Sequence, residues 1–329
     1  MTGGRSSGGT PGEAQGHHFG GAWTEDKLSR VRGYLGAYTT IFTSNERARH
    51  FRTTYVDAFA GTGARSSRAS LPSQRTEGSL FEDAEADPEA QSFKQGSARA
   101  ALEVEPAFDS YVFVDQNLDH ADQLKRLGDE FPEKTEKISV EAAEANLFLK
   151  RWCAETDWGA NRAVVFLDPY GMQVDWSTIE AIAATKGIDL WVLFPLGQAV
   201  NRLLTRRRIP EGALADRLTR HLGTESWREE FYRAADAAAD EAQPSMFEDI
   251  EEDERGILKT ASLDAIGSFF VRRLGEIFAG VTPNPLMLRN SRNVPIYLLC
   301  FAAGNPRGAP TAVNIAGHVL GRRPGGSRG

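Results

Sequence analysis

Four apolar-rich runs, each closed by a turn former or an acid, constrain this chain more than any other feature. They are Thr53-Thr54-Tyr55-Val56-Asp57-Ala58-Phe59, Tyr111-Val112-Phe113-Val114-Asp115, Ala163-Val164-Val165-Phe166-Leu167-Asp168 and Ile188-Asp189-Leu190-Trp191-Val192-Leu193-Phe194. Their length and their β-branched and aromatic content read as strands, and the near absence of polar alternation places both faces away from water. Helical patterns lie between them, at about 118 to 130 and at 177 to 186. In the second, Ser177 and Glu180 form a capping box and Gly187 a stop. Strands alternating with helices predict an α/β fold, a mostly parallel sheet covered on both faces. Function in such a sheet belongs at the strand carboxyl ends, where three of the four runs carry an aspartate: Asp57, Asp115 and Asp168.

Residues 1–22 are rich in Gly, Ser and Thr, offer little to bury and are expected to form a disordered tail. From Trp23, with Thr24 as cap, a helix is predicted whose Leu28, Val31, Leu35, Tyr38 and Phe42 share one face. The cofactor-binding core is expected over 23–197, interrupted by a mobile acidic loop at 64–96. A mainly helical insertion or cap at 198–278 follows, containing Arg206-Arg207-Arg208 and an acidic stretch from Glu248 to Glu254. Residues 279–320 then complete the core with strands and a helix, and 321–329 form a tail. Within that last stretch, Pro285-Leu286-Met287-Leu288 and Val294 to Phe301 read as a terminal antiparallel hairpin turning at Asn290-Ser291-Arg292-Asn293.

In the first strand-to-helix turn, Gly61 and Gly63 allow backbone to approach a ligand closely, although a plain strand-to-helix connection reads equally well from the turn alone. Asp115 is placed to accept both ribose hydroxyls of a nucleoside cofactor, or to cap the helix at 118–130. At the end of the run at 163–168 stands Asp168-Pro169-Tyr170-Gly171, which resembles the Asp-Pro-Pro-Tyr motif of amino-group methyltransferases and the Asp-Pro-Phe-Gly of tRNA guanine-N2 methyltransferases. An exocyclic amine is a poor nucleophile because its lone pair is delocalised into the ring. Acceptors such as Asp168 and the Pro169 carbonyl must hold its hydrogens and aim that lone pair, while Tyr170 stacks on the base. The competing reading is a proline turn with Tyr170 partly buried.

Taken in order, Trp23-Thr24-Glu25-Asp26-Lys27-Leu28, Tyr55 to Gly63, Gly96-Ser97, Phe113-Val114-Asp115, Asp168-Pro169-Tyr170-Gly171 and Phe194-Pro195 resemble the three-Cys-motif partner protein family over about residues 23–318. The resemblance implies a class I methyltransferase, Rossmann-like fold and S-adenosyl-L-methionine as cofactor, with Asp57, Phe59, Gly61, Gly63, Asp115 and Asp168 around it. Where the family often has Gly-Asp-Ala-Asn after the third strand, this chain has Ala143-Glu144-Ala145-Asn146, so Glu144, Ala145 and Asn146 are expected near the adenine. It also implies a separate partner protein that carries the three cysteines.

Composition narrows the function classes. A formal charge of −7 leaves no global basic field for nucleic acid, although a local basic groove stays open. The two cysteines, Cys153 and Cys300, lie far apart in apolar stretches, read as core residues, suit a reducing compartment and offer no metal-ligand spacing. No stretch has the length of a membrane span and none reads as a signal peptide, so a cytoplasmic protein is expected. His50, His120, His221 and His318 are read as surface or cap residues. Three functions stay open. They are methylation of an amino group in a nucleic acid or nucleoside-like substrate, methylation of a small metabolite under a 198–278 lid, and a non-catalytic partner protein on the same fold. A dehydrogenase leaves Asp168-Pro169-Tyr170-Gly171 unexplained. The sequence sets no oligomeric state.

Overall fold

The computed structural model describes residues 22–61, 96–234, 256–290 and 292–321. Residues 1–21 and 322–329 of the expected tails, Thr62 and Gly63, nearly all of the 64–96 loop and the Glu248–Glu254 stretch lie outside these residues, while Ala22 opens a helix.

Five strands run parallel: β1 (Arg52–Asp57), β2 (Ser110–Val114), β3 (Ile138–Glu141), β4 (Asn161–Leu167) and β5 (Ile188–Phe194). Of the later strands, β6 (Tyr232–Ala234) and β7 (Ile257–Lys259) pair only with each other. The chain then adds β8 (Gly280–Val281), β9 (Leu286–Arg289) and β10 (Pro295–Ala303). The large sheet runs β3-β2-β1-β4-β5-β10-β8, with β9 also on β10. β10 is antiparallel to β5, β8 and β9, so the expected hairpin is present and adds its long strand beside β5, next to the β8 end of the sheet. Asn293 takes a left-handed φ of 59°, and the Asn290 Oδ1 accepts the N–H groups of Arg292 and Val294. This is an eight-stranded, mostly parallel sheet compatible with a Rossmann-like fold.

The unbroken apolar runs explain the two-sided burial. Ala163, Val165 and Leu167 of β4, with Ile188, Leu190, Val192 and Phe194 of β5, enter one core. The residues between them, Val164, Phe166, Trp191 and Leu193, enter the other. Successive side chains of a strand point to opposite faces, so a strand in the middle of three layers needs apolar residues at every position.

One face carries α1 (Ala22–Ser44), α2 (Ser97–Leu102), α3 (Leu118–Lys125), α4 (Leu127–Glu130) and a carboxyl-terminal helix, Ala309–Leu320. The other carries α5 (Ala145–Glu155), α6 (Trp176–Ala184), α7 (Gly212–Leu222), α8 (Trp227–Phe231) and α9 (Leu263–Ile277). Leu218, Trp227, Phe231, Phe269 and Phe270 from the 198–278 segment belong to the same core as the sheet residues. The described parts of that segment therefore form a layer on the sheet face. α6 begins at Trp176 with Asp175 as N-cap, one residue ahead of the expected Ser177 box, and Glu180 instead accepts the Trp176 indole N–H at 3.0 Å. β5 is followed by Pro195 and a π-type turn over Leu196–Val200, in which Val200 N–H reaches the Pro195 carbonyl. Gly197 has to be glycine, since a Cβ there would meet the Pro295 carbonyl oxygen at 2.0 Å. Both cysteines are buried and free.

Candidate functional site

Because β1 to β5 are parallel, their carboxyl ends share one edge. At the end of β1, Asp57 is fully buried, and its Oδ1 accepts the Phe59 N–H at 3.3 Å while Oδ2 meets no hydrogen-bond donor among the described residues. Burial pushes its carboxyl up to about 7. The Ser97 hydroxyl opposes that rise, Asp168 adds to it, and Phe59 N–H and Lys27 oppose it. The backbone then turns through half-buried Phe59 and Ala60 to Gly61, whose φ of 61° is left-handed. That conformation costs a side-chain-bearing residue energy and costs glycine little.

Gly61 donates its N–H to Asp115 Oδ2 at 3.0 Å. Asp115 follows β2, and its Oδ1 accepts the Asn117 N–H at 2.8 Å while His120 Nδ1 lies 3.3 Å from Oδ2. A carboxylate has about four acceptor positions, so with His120 as donor about one remains for a ligand hydroxyl. Asp115 thus ties the first glycine turn to the start of α3, where Asn117 is the N-cap.

Beyond β3, Glu144 is the N-cap of α5. Its Oε1 accepts Asn146 N–H at 2.9 Å and its Oε2 accepts Leu147 N–H at 2.8 Å. Partial burial works against the charge, but these N–H donors, the Asn146 side chain and Lys150 outweigh it and hold the pKa below the usual Glu value. Ala145 is buried. Asn146 reaches across to the loop after β4: its Nδ2 donates to the Gln173 carbonyl at 2.9 Å, and its Oδ1 accepts from Asp175 N–H and the Thr178 hydroxyl. The Gln173 side chain in turn accepts the Tyr170 N–H at 2.8 Å. Glu144, Asn146 and Tyr170 are therefore parts of one hydrogen-bonded loop system.

Asp168, just past β4, is buried and pairs through Oδ2 with Lys27 Nζ at 3.0 Å. Lys27 is wholly buried near the start of α1 and lies over the Phe166 ring, 5.1 Å from its centroid. Pro169 is buried and Tyr170 half-buried, so the tyrosine keeps an accessible part at the edge. Gly171 turns with φ 60° and faces Ala199, whose Cβ would lie 3.9 Å from a methyl placed on Gly171.

The structure thus gathers Asp57, Phe59, Gly61, Asp115, Glu144, Ala145, Asn146 and Asp168-Pro169-Tyr170 along one edge, and Gly63 lies outside the described residues. Sequence reasoning missed Lys27, His120 and Gln173. Lys27 carried a signal, because it falls with Val31, Tyr34 and Leu35 on the buried face of α1. His221 departs from the surface reading, while the His120 side chain stays 35% exposed. His120 meets Asp115, and His221 is buried, stacked 5.6 Å from the Phe194 ring. Burial depresses its pKa to about 4, with the Val174 carbonyl contact working against that shift and Arg217 adding to it.

No protein-family model and no curated protein matches the chain. Among solved structures, the crystal structure of a Legionella pneumophila protein of the DUF519 family shares 12% identity and a TM-score of 0.42, with 92% of each chain covered. A conserved hypothetical protein of Streptococcus pyogenes shares 17% identity and a TM-score of 0.26 over 52% of this chain and 81% of that one. Neither likeness carries an argument; the α/β reading rests on the strand order. No helix among the described residues is long and apolar enough to cross a membrane.

Proposed function

We propose that this chain binds S-adenosylmethionine along the carboxyl edge of its sheet and methylates an amino group of a nucleobase or nucleoside-like substrate. The observation that carries the reading is the convergence of the Asp57–Gly61 turn, Asp115 and Asp168–Tyr170 on one edge of adjacent parallel strands, the place where such sheets bind ligands.

The residues present fit the cofactor. Gly61 permits close backbone approach, Asp115 keeps acceptor capacity for a ribose hydroxyl, and the buried Asp57 Oδ2 faces no donor among the described residues. Glu144, Ala145 and Asn146 would lie toward the adenine. When bound, the cofactor supplies a methyl group on a positively charged sulfur. Asp168, fixed by Lys27, and the Pro169 carbonyl would accept the hydrogens of the acceptor amine and hold its lone pair in line. Tyr170 would stack against the base, a contact worth about 1–3 kcal/mol in single-strand binders. The N–C bond would form as the S–C bond breaks, the thioether would depart neutral, and the surplus proton of the methylated amine would pass to water, so no histidine is required.

A second reading is favoured by one observation. Asp168 Oδ2 is committed to Lys27, an arrangement that also suits a non-catalytic partner protein in which Asp168 only anchors α1. The test is transfer of labelled methyl to adenosine, guanosine, cytidine and RNA. Label on an exocyclic amine, cut by orders of magnitude in Asp168→Asn with cofactor affinity retained, supports the enzyme. Cofactor binding without transfer to any acceptor moves the protein to the partner reading.

A further inference from the structure

The segment after β5 reverses the charge of the molecule. Residues 195–210 hold four arginines, Arg202, Arg206, Arg207 and Arg208, and no acid, in a chain whose formal charge is −7. All four are exposed. Arg206, Arg207 and Arg208 lie in bends outside any helix, so this is not the solvated face of a helix that a basic triplet ordinarily marks.

Their backbone is anchored while their tips are in water. Lys259 N–H donates to the Arg206 carbonyl at 2.8 Å, the Tyr232 hydroxyl to the Thr205 carbonyl at 3.0 Å, and Arg228 Nη1 to the Pro210 carbonyl at 3.2 Å. Lys259 Nζ also bonds Asn201 Oδ1 and brings a further cation to the segment. Among the described residues, Arg202, Arg206 and Arg207 meet no carboxylate. Arg208 meets Glu211 at 3.4 Å, in a pair about three-quarters exposed and so weak. A fixed loop presenting guanidiniums, three of which meet no carboxylate among the described residues, suits anion binding, and guanidinium matches phosphate in bidentate geometry.

Its position relates it to the edge already described. Ala199, one helical turn ahead of Arg202, lies close to Gly171, which follows half-buried Tyr170. This segment and Tyr170 supply the two components of single-strand recognition, cations that track phosphates and an aromatic side chain that stacks a base.

We propose that Arg202, Arg206, Arg207 and Arg208 form a phosphate-binding surface that carries single-stranded nucleic acid past Tyr170, making a polynucleotide the acceptor class. The acceptor assignment rests on the proposed methyltransferase reading; the binding surface does not.

The test is fluorescence anisotropy with labelled 20-nucleotide single strands of RNA and of DNA, across a salt series, on the full chain and on R206A/R207A/R208A. Binding should weaken linearly in a log–log plot. The triple variant should lose tenfold or more in affinity and about 2 in slope, at ~0.7 per phosphate contact, with an unchanged melting temperature. RNA and DNA arms decide which polynucleotide is preferred. No binding by the wild-type chain at low salt, or an unchanged slope in the variant, would overturn the surface. Titration of the same variant with S-adenosylhomocysteine keeps the two readings apart. Loss of cofactor binding in every form of the protein condemns the methyltransferase reading alone, and loss of the salt-dependent term condemns the arginine surface alone.

Discussion

Lys27 Nζ lies 3.0 Å from Asp168 Oδ2 with both side chains buried, joining the first helix to the end of the fourth strand across 141 positions. The pair shares its surroundings with Asp57, whose carboxyl responds to both charges. Removing one member of a buried ion pair leaves an uncompensated charge and costs roughly 3–5 kcal/mol, whereas replacing both by apolar groups is often close to neutral. Lys27→Met should therefore destabilise by several kcal/mol in urea denaturation, and Lys27→Met combined with Asp168→Leu should recover most of the loss. A loss in the double variant equal to the sum of the losses in Lys27→Met and Asp168→Leu alone would show that the two residues act independently.

Asp57 makes stability depend on pH. Its folded pKa of about 7 lies above the ordinary value of 3.8, so between the two the folded state keeps a proton that the unfolded state has released. Stability then falls as pH rises through that window and levels off above it. Asp57→Asn removes the slope, so the variant should gain on the wild type, by on the order of a few kcal/mol at about 1.4 per pKa unit, between pH 5 and pH 8. Urea midpoints at the two pH values check this. A difference that stays constant with pH contradicts the buried, protonated carboxyl.

What was legible in the sequence followed from periodicity. The runs at 111–115, 163–168 and 188–194 needed apolar residues at every position only if both faces were covered, and both are. The hairpin was legible in its Asn-rich turn. β3 was not, because Ile138–Glu141 is four residues long and partly exposed, too short for any period to show. Lys27 was hidden for a different reason: a lysine reads as surface until its partner is known, and Asp168 is 141 residues away. Asp115 was legible as an acid at a strand end, and Glu144 only through the family resemblance. Their commitment to backbone N–H groups of Asn146, Leu147 and Gly61 is set by three-dimensional placement. His221 entered the core because α7 turns its last residues toward Phe194 and Phe270, neighbours that only the sheet order supplies.

Binding of S-adenosylmethionine at this carboxyl edge is tested most directly by calorimetric titration with S-adenosylhomocysteine, which needs no acceptor. The account predicts saturable binding with a micromolar Kd in the wild type. In Asp115→Ala, loss of a charge-assisted contact of about 1.5–3 kcal/mol should weaken it tenfold or more. No heat of binding in the wild type, or an unchanged Kd in Asp115→Ala, would contradict the assignment.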